Sequence, residues 1–274
     1  MNKTNIQWTE KTWNPTRGCT VVGPECANCY AREFAERFKG TKGHPYENGF
    51  DFGVVPHKLV EPLLITKPSM VFVNSMSDLF HKNAPVEYIQ KVAWVMSAAN
   101  WHIFQVLTKR PDKMSKLLEK DLADAAECQH IWWGVSVGNK KGGVPRIEVL
   151  RNSKAKVKWL SIEPLLEDLG EIDLSGIDWV VVGGESGPKF REMKKEWVES
   201  IQAQCAAAKV PFFFKQWSGL HPKKLGRELN NVTYDEMPRI ITGPVIDETE
   251  RQRRLAVVAK WIEEMNGAVQ PTGK

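Results

Sequence analysis

The chain has 274 residues, 42% hydrophobic and 26% charged, with a formal net charge of +5. That is enough to bury a substantial core as one large domain or two small ones. No apolar run is long enough to cross a bilayer, and the N-terminal MNKTNIQWTEK lacks the apolar stretch of a secretory leader, so neither a membrane partner nor export is expected. Five cysteines, an odd number with three crowded together, argue against a disulfide framework and for a reducing, cytoplasmic setting. The mild positive charge permits a polyanionic partner without requiring one, and eleven tryptophans include enough aromatic surface for some to stack on bases.

Read in chain order, a first short strand is expected around Thr12–Asn14. A cysteine-rich loop and a short helix carrying Tyr30, Phe34 and Phe38 follow it. Gly40–Pro68 is the longest interruption, rich in Gly, Pro, His and aromatic residues. Apolar strands then recur at Val71–Ser75, His102–Thr108, Ile131–Val137, Val157–Ile162, Trp179–Val182 and Pro211–Gln216, apolar on both faces as buried parallel strands are. Pro85 opens a helix with Ile89, Val92, Ala93 and Met96 on one face, and Pro111 opens another. Beyond Phe190, the four-residue spacing of Trp197, Ile201 and Cys205 makes a core stripe, so Cys205 reads as packed, and Cys128 likewise as structural. Ser218–Thr242 reads as an irregular cover or a substrate loop, and a terminal helix runs from about Asp247 to Met265 with Leu255, Val258, Ala259 and Ile262 inward.

Each gap between the later strands holds one crossover helix, the signature of repeated βαβ units. The expected fold is therefore α/β: a sheet or partial parallel (β/α) barrel of six or seven strands over residues 1–217. Residues 218–274 form a C-terminal loop and helix packed on it. The polar residues gather just after the strands, where α/β enzymes place their sites. They are Ser75, Ser77 and Asp78, then Thr108, Lys109 and Arg110, then Ser136 and Asn139. Glu163, the run Gly183, Gly184, Glu185 and Ser186, and finally Lys215 and Gln216 complete the set. Bland readings compete at several of them: Asp78 as a helix cap beside a surface His81, Lys109 and Arg110 as a solvated pair, and Gly183-Gly184 as a tight turn.

The most informative feature is Cys19-x6-Cys26-x2-Cys29 in WNPTRGCTVVGPECANCYA. A closed structural site normally has four ligands, so a three-thiolate set points to a metal centre with one open position. Two chemistries meet that description. One is an iron–sulfur cluster with a cysteine-free iron. The other is zinc completed by a distant His44 or Cys128, in a nucleic-acid-binding protein without catalysis.

The segment NPTRGC…CANCYA resembles the cluster loop of radical S-adenosylmethionine (radical SAM) enzymes, above all the spore photoproduct lyase-like branch. Further stretches, TWNPTRGC, VNSMSDLFH, FQVLTKRP, WGVSV, LSIEPLL, DWVVVGGESG and FFFKQW, resemble a phage and bacterial family of radical SAM-like three-cysteine proteins across most of residues 8–217. The resemblance implies a partial radical SAM barrel with a [4Fe–4S] cluster on Cys19, Cys26 and Cys29. It also implies S-adenosylmethionine (SAM) chelating the fourth iron, and an external electron donor. It assigns Ser75, Ser77 and Asp78 to SAM and singles out no catalytic side chain; by their place at strand ends Ser136, Glu163, Gly183, Gly184 and Glu185 are expected around the cofactor too, with a structural hydrogen bond to backbone the competing reading of Glu163. Two departures stand out. The first cysteine interval is six residues where the family has three, and the Gly-Gly-Glu-like SAM contact after the second strand is replaced by Ser75-Met76-Ser77-Asp78. The implied substrate is a base in DNA or a nucleotide, in phage DNA modification, rearrangement or repair. A radical SAM enzyme acting on a peptide or small metabolite is the alternative.

Overall fold

The computed structural model describes residues 1–268; the last six residues of the expected C-terminal segment lie outside them. Eight strands form one sheet in which spatial order follows chain order: β1 (Asn2–Lys3), β2 (Lys11–Trp13), β3 (Met70–Val73), β4 (Ile103–Thr108), β5 (Ile131–Ser136), β6 (Val157–Ile162), β7 (Trp179–Gly183) and β8 (Phe212–Gln216). Only β1 runs antiparallel to its neighbour; the seven others are parallel, and the sheet curls into an open half-barrel. This is the α/β partial barrel with a C-terminal helix that the strand pattern implies, except that the connection from β6 to β7, residues 163–178, is irregular and holds no crossover helix.

The helices that matter here are α1 (Tyr30–Glu36), α2 (Val86–Ala98), α3 (Pro111–Leu118), α4 (Pro145–Asn152), α5 (Lys195–Ala208) and α6 (Glu248–Ala268). Alternation along each strand divides the sheet residues between two cores. Val71, Val73, Phe104, Val106, Val135, Leu160, Val180 and Phe214 pack against the helices. The opposite, concave face holds Phe72, Trp132, Trp159, Trp179 and Phe213. Trp8, from the loop between β1 and β2, plugs that face, with its ring edge-on to Phe72 at 4.8 Å and to Trp159 at 5.3 Å. These four tryptophans are spent on closing the barrel floor, and Trp13, Trp101 and Trp133 are fully buried elsewhere, so none of the seven is free to stack on a base.

Several boundaries moved for local reasons. The strand expected to reach Ser75 ends at Val73 because Asn74 adopts a left-handed conformation, φ 65°. The edge strand Asn2–Lys3, the antiparallel pair Thr16–Arg17/Gly53–Val54 and the hairpin Glu228–Leu229/Val232–Thr233 are too short to carry a periodic signal. In α6, Val258 is fully buried but Ala259 points outward; Trp261 takes its place, edge-on to Trp94 of α2 at 5.0 Å. Cys205 is buried in α5, as its stripe implies, and Cys128 packs at the core's margin. Among the described residues no helix is long and apolar enough to cross a membrane.

Gly134 shows how tight the concave core is. A Cβ there would collide with the indole of Trp159, whose N–H donates to the Trp132 carbonyl at 3.2 Å. Gly134→Ala should therefore lower stability by about 1–3 kcal/mol through overpacking. Chemical denaturation would register this as a lower midpoint at unchanged slope.

Candidate active site

The cysteine loop sits over the C-terminal ends of the parallel strands because four separate contacts pin it there. The first is backbone. Gly18, φ 70°, takes a position where a Cβ would collide with the Asp51 carbonyl. Its N–H donates to Met76 O at 3.1 Å, and Cys19 N–H donates to Phe50 O at 3.1 Å. The second contact is the turn after β3. Ser77 Oγ donates to Thr16 O at 2.9 Å, Asn74 Nδ2 donates to Ser77 Oγ at 2.8 Å and also to Thr16 Oγ1, and Ser75 Oγ donates to Asn14 Oδ1 at 3.2 Å. Tyr30, the residue after Cys29, donates its hydroxyl to Ser75 O at 2.6 Å.

The third contact is an ion pair. Glu25, immediately before Cys26, turns inward and pairs with Arg146 of α4 at 2.8 Å; both side chains are almost fully buried. Arg146 also donates to Ser136 O at 2.7 Å, tying the loop to the end of β5. Gly138 clears the way, since a Cβ there would collide with Glu25 Cγ. On the opposite side, Asn28 donates to Glu185 Oε2 at 3.0 Å and to Lys189 O at 2.7 Å.

Cys19, Cys26 and Cys29 are all half-buried free thiols. Three thiolates on one tetrahedral zinc, with Zn–S about 2.3 Å, would stand about 3.8 Å apart. Among the described residues no group of three or more His, Cys, Asp or Glu is gathered to hold a single metal ion. The two completing ligands considered for zinc are engaged elsewhere: His44 stacks on Phe38 at 3.9 Å and accepts from Tyr46 N, and Cys128 contacts Ser97 and the Asp124 carbonyl.

Asp78 and Arg110 meet beside Cys19. The Asp78 carboxylate accepts from Phe80 N (2.9 Å), Thr108 Oγ1 (2.8 Å), Lys109 N (3.2 Å) and Arg110 Nη1 (2.8 Å). Arg110 Nη1 also donates to Cys19 Sγ at 3.5 Å, while Nη2 donates to Thr20 O and Oγ1 at 3.1 and 3.0 Å. Burial and the Asp78 charge push the Cys19 thiol pKa up, and the Arg110 guanidinium opposes both. His81 is not on the surface: it is fully buried, stacked on Phe52 at 4.4 Å, with Nε2 3.0 Å from Thr20 Oγ1. Burial first, then Arg110, lowers its pKa.

Across the mouth, Glu163 and Lys215 form an ion pair at 2.7 Å. Glu163 directly follows β6 and Lys215 lies in β8, two strands away, and they meet over Gly183 of the strand between. A Cβ on Gly183 would lie 2.8 Å from Glu163 Oε1. A bulge in β8 between Phe214 and Gln216 aims Lys215 at this spot. Glu163 Oε2 accepts from Trp8 Nε1 at 3.2 Å and Ser161 Oγ at 3.3 Å. Gly184 makes room for a different neighbour, the Ser218 backbone, which a Cβ would strike.

The expected site residues thus fall into two groups. Ser75, Ser77, Asp78, Ser136 and Glu185 direct their polar atoms to protein partners around the cysteine loop. Glu163 is also fully engaged, but by Lys215, Trp8 and Ser161 away from that loop, and Gly183 and Gly184 make room for Glu163 and Ser218. Sequence reasoning missed Glu25, Asn28, Arg146 and Arg191; the acidic residue between Gly23-Pro24 and Cys26 was the one readable hint.

The class this geometry defines is a partial (β/α) barrel bearing three free thiols on one loop at its strand-end mouth. The chain belongs to the family described as protein of unknown function (DUF5131), which matches residues 3–238. No curated protein matches it. Among solved structures it is similar to a spore photoproduct lyase variant with bound AdoMet and dinucleoside spore photoproduct, at 12% identity and a TM-score of 0.44, covering 97% of this chain and 76% of that one. A second structure of that lyase, complexed with the dinucleoside spore photoproduct, gives 12% identity and a TM-score of 0.41, covering 91% and 72%.

Glu185 offers a direct check on the loop anchoring. Burial opposes its charge, but Arg191, which holds it through two side-chain nitrogens at 2.9 and 2.5 Å, and Asn28 outweigh burial and lower its pKa. A lowered carboxylate contributes stability that is full above the ordinary value, about 4.3, and is lost as pH falls through the folded value. Glu185→Gln should lower stability at neutral pH and flatten the acid limb of a stability-versus-pH curve.

Proposed function

We propose that this protein is a radical SAM enzyme whose [4Fe–4S] cluster is held by Cys19, Cys26 and Cys29. The observation that carries the reading is the loop itself: three free thiols, pinned over the strand ends by contacts to three separate parts of the barrel. The resemblance of the surrounding motifs points the same way. When bound, such a cluster supplies the electron that cleaves SAM to methionine and a 5′-deoxyadenosyl radical, which takes hydrogen from a substrate; an external donor must replenish that electron.

The chain's own residues divide the remaining work. Ser75, Ser77 and Asp78 fix the turn that supports Cys19, and Glu25–Arg146 and Asn28–Glu185 fix the segment from Cys26 to Cys29. Val21 and Val22 on the loop are exposed. Glu163 holds Lys215 at the mouth, where its ammonium can meet an oxygen of the cofactor or substrate. The tryptophan floor beneath excludes water from below.

The substrate class we favour is a nucleic-acid base. Beside the mouth, the segment after β8 forms an open groove of about 800 Å³ whose lining includes Lys195, Trp217, Lys224 and Arg227. Cations beside an aromatic ring suit a phosphate backbone and an unstacked base. Lys195 and Arg227 also have acidic partners, Glu199 and Asp235, so the groove is moderately rather than strongly basic.

Anaerobic reconstitution should give one four-iron cluster, countable as iron and sulfide. Cys19→Ala, Cys26→Ala and Cys29→Ala should each abolish it, whereas Cys128→Ala and Cys205→Ala should not. Stoichiometric zinc without iron would overturn the proposal.

With cluster present, reduced protein should convert SAM to 5′-deoxyadenosine. Lys215→Met should leave iron content unchanged and slow substrate-dependent turnover about 10- to 100-fold, the worth of one charge-assisted hydrogen bond. Deuterium carried from a labelled base into 5′-deoxyadenosine would identify the substrate class; transfer only from a peptide or free metabolite would replace the nucleic-acid assignment.

A further inference from the structure

We infer that Arg110 is a tuning residue for the proposed cluster: its guanidinium donates to the Cys19 sulfur and raises the cluster's reduction potential, with Asp78 holding it in place. This rests on the cluster reading above and adds to it a role for a side chain outside the cysteine loop.

The geometry is that of a built contact. Arg110 follows closely on Thr108, the last residue of β4, and its own N–H donates to Thr108 Oγ1 at 2.9 Å, which closes the turn. Pro111 then starts α3. The planar fork is used on both prongs: Nη1 spans Cys19 Sγ and Asp78 Oδ2, and Nη2 spans the carbonyl and hydroxyl of Thr20. Lysine has no such fork. The side chains of Arg110 and Asp78 are only 15% and 7% exposed, so solvent screens neither charge well.

The sign follows from charge. Reduction adds an electron to an already anionic centre. A guanidinium hydrogen-bonded to a ligand sulfur stabilises that added charge, as hydrogen bonds to cluster sulfurs do in general. Asp78 alone, buried beside Cys19, would disfavour it. Arg110 stands between the two, so removing it does double damage: the donor disappears and the carboxylate is left unopposed. A residue that merely braced the loop would affect how much cluster is held but not its potential.

The test is an anaerobic redox titration of the reconstituted full-length protein, followed by absorption and electron paramagnetic resonance, with iron counted in each sample. Arg110→Met should shift the one-electron reduction equilibrium about tenfold toward the oxidised cluster, about 59 mV lower. Asp78→Asn in the Arg110→Met background should recover part of that shift. If Arg110→Met fails to hold iron, Arg110→Lys and Arg110→Gln carry the test, with potentials expected to fall in the order wild type, Lys, Gln. Equal potentials in iron-replete wild type and variants would overturn the tuning role while leaving the cluster assignment intact. Absence of iron from the wild-type protein would instead overturn the cluster assignment, and the tuning role with it.

Discussion

The Asp78 carboxylate is the constraint on which the mouth of the barrel depends. It accepts four donors, from the turn it begins, from Thr108 and Lys109 at the end of β4, and from Arg110. A buried carboxylate is costly unless it is satisfied, and once satisfied it becomes a rigid node. Here the node joins two successive strand-end loops and, through Arg110, reaches the cysteine loop as well. The neighbouring Asn74–Ser77–Thr16 bonds reinforce the same seam from the backbone side.

A second buried pair, Glu25–Arg146, does the corresponding work on the other flank. The two pairs differ in what they leave over. Glu25 Oε2 is buried without a hydrogen-bond partner, so this pair is under-satisfied and anchors at some electrostatic cost. Glycines accommodate the acids at both Glu25 and Glu163: Gly138 clears Glu25, and Gly183 clears Glu163. In each case the small residue serves the approach of an ion-paired acid, which is a different use from the turn or ligand contact that Gly-Gly suggests in isolation.

The concave face confines the polar side chains of the barrel to its strand ends. Trp8, Trp132, Trp159, Trp179, Phe72 and Phe213 fill the barrel's lower half, and the four indole N–H groups among them are spent on backbone carbonyls or on Glu163. Polar groups and the three thiols are thereby confined to one end, at the strand termini, where parallel-sheet geometry leaves backbone free to bind. The Glu163–Lys215 pair marks the boundary between the dry floor and the polar mouth.

Local sequence determined the elements and the donor set. Runs such as IWWGVS and WVVVG have no polar face, so they had to be central parallel strands, and the order of strands followed; a crossover helix in every gap did not, since residues 163–178 between β6 and β7 form none. Three cysteines within eleven residues marked the loop that the structure sets over the sheet, and strand-end polar residues marked the open end of the barrel. Tertiary structure decided what those polar residues do. Asp78 and Arg110 are 32 positions apart, Glu25 and Arg146 are 121 apart, and Asn28 reaches Glu185 across 157. Whether a carboxylate is free for a ligand or consumed by a distant donor depends on pairing across such separations, which no local periodicity encodes. His81 illustrates this, since a histidine in a polar turn reads as exposed until Phe52 and Thr20 close over it. Side-chain chemistry is written in the chain, but the partner that spends it is chosen only when the loops converge.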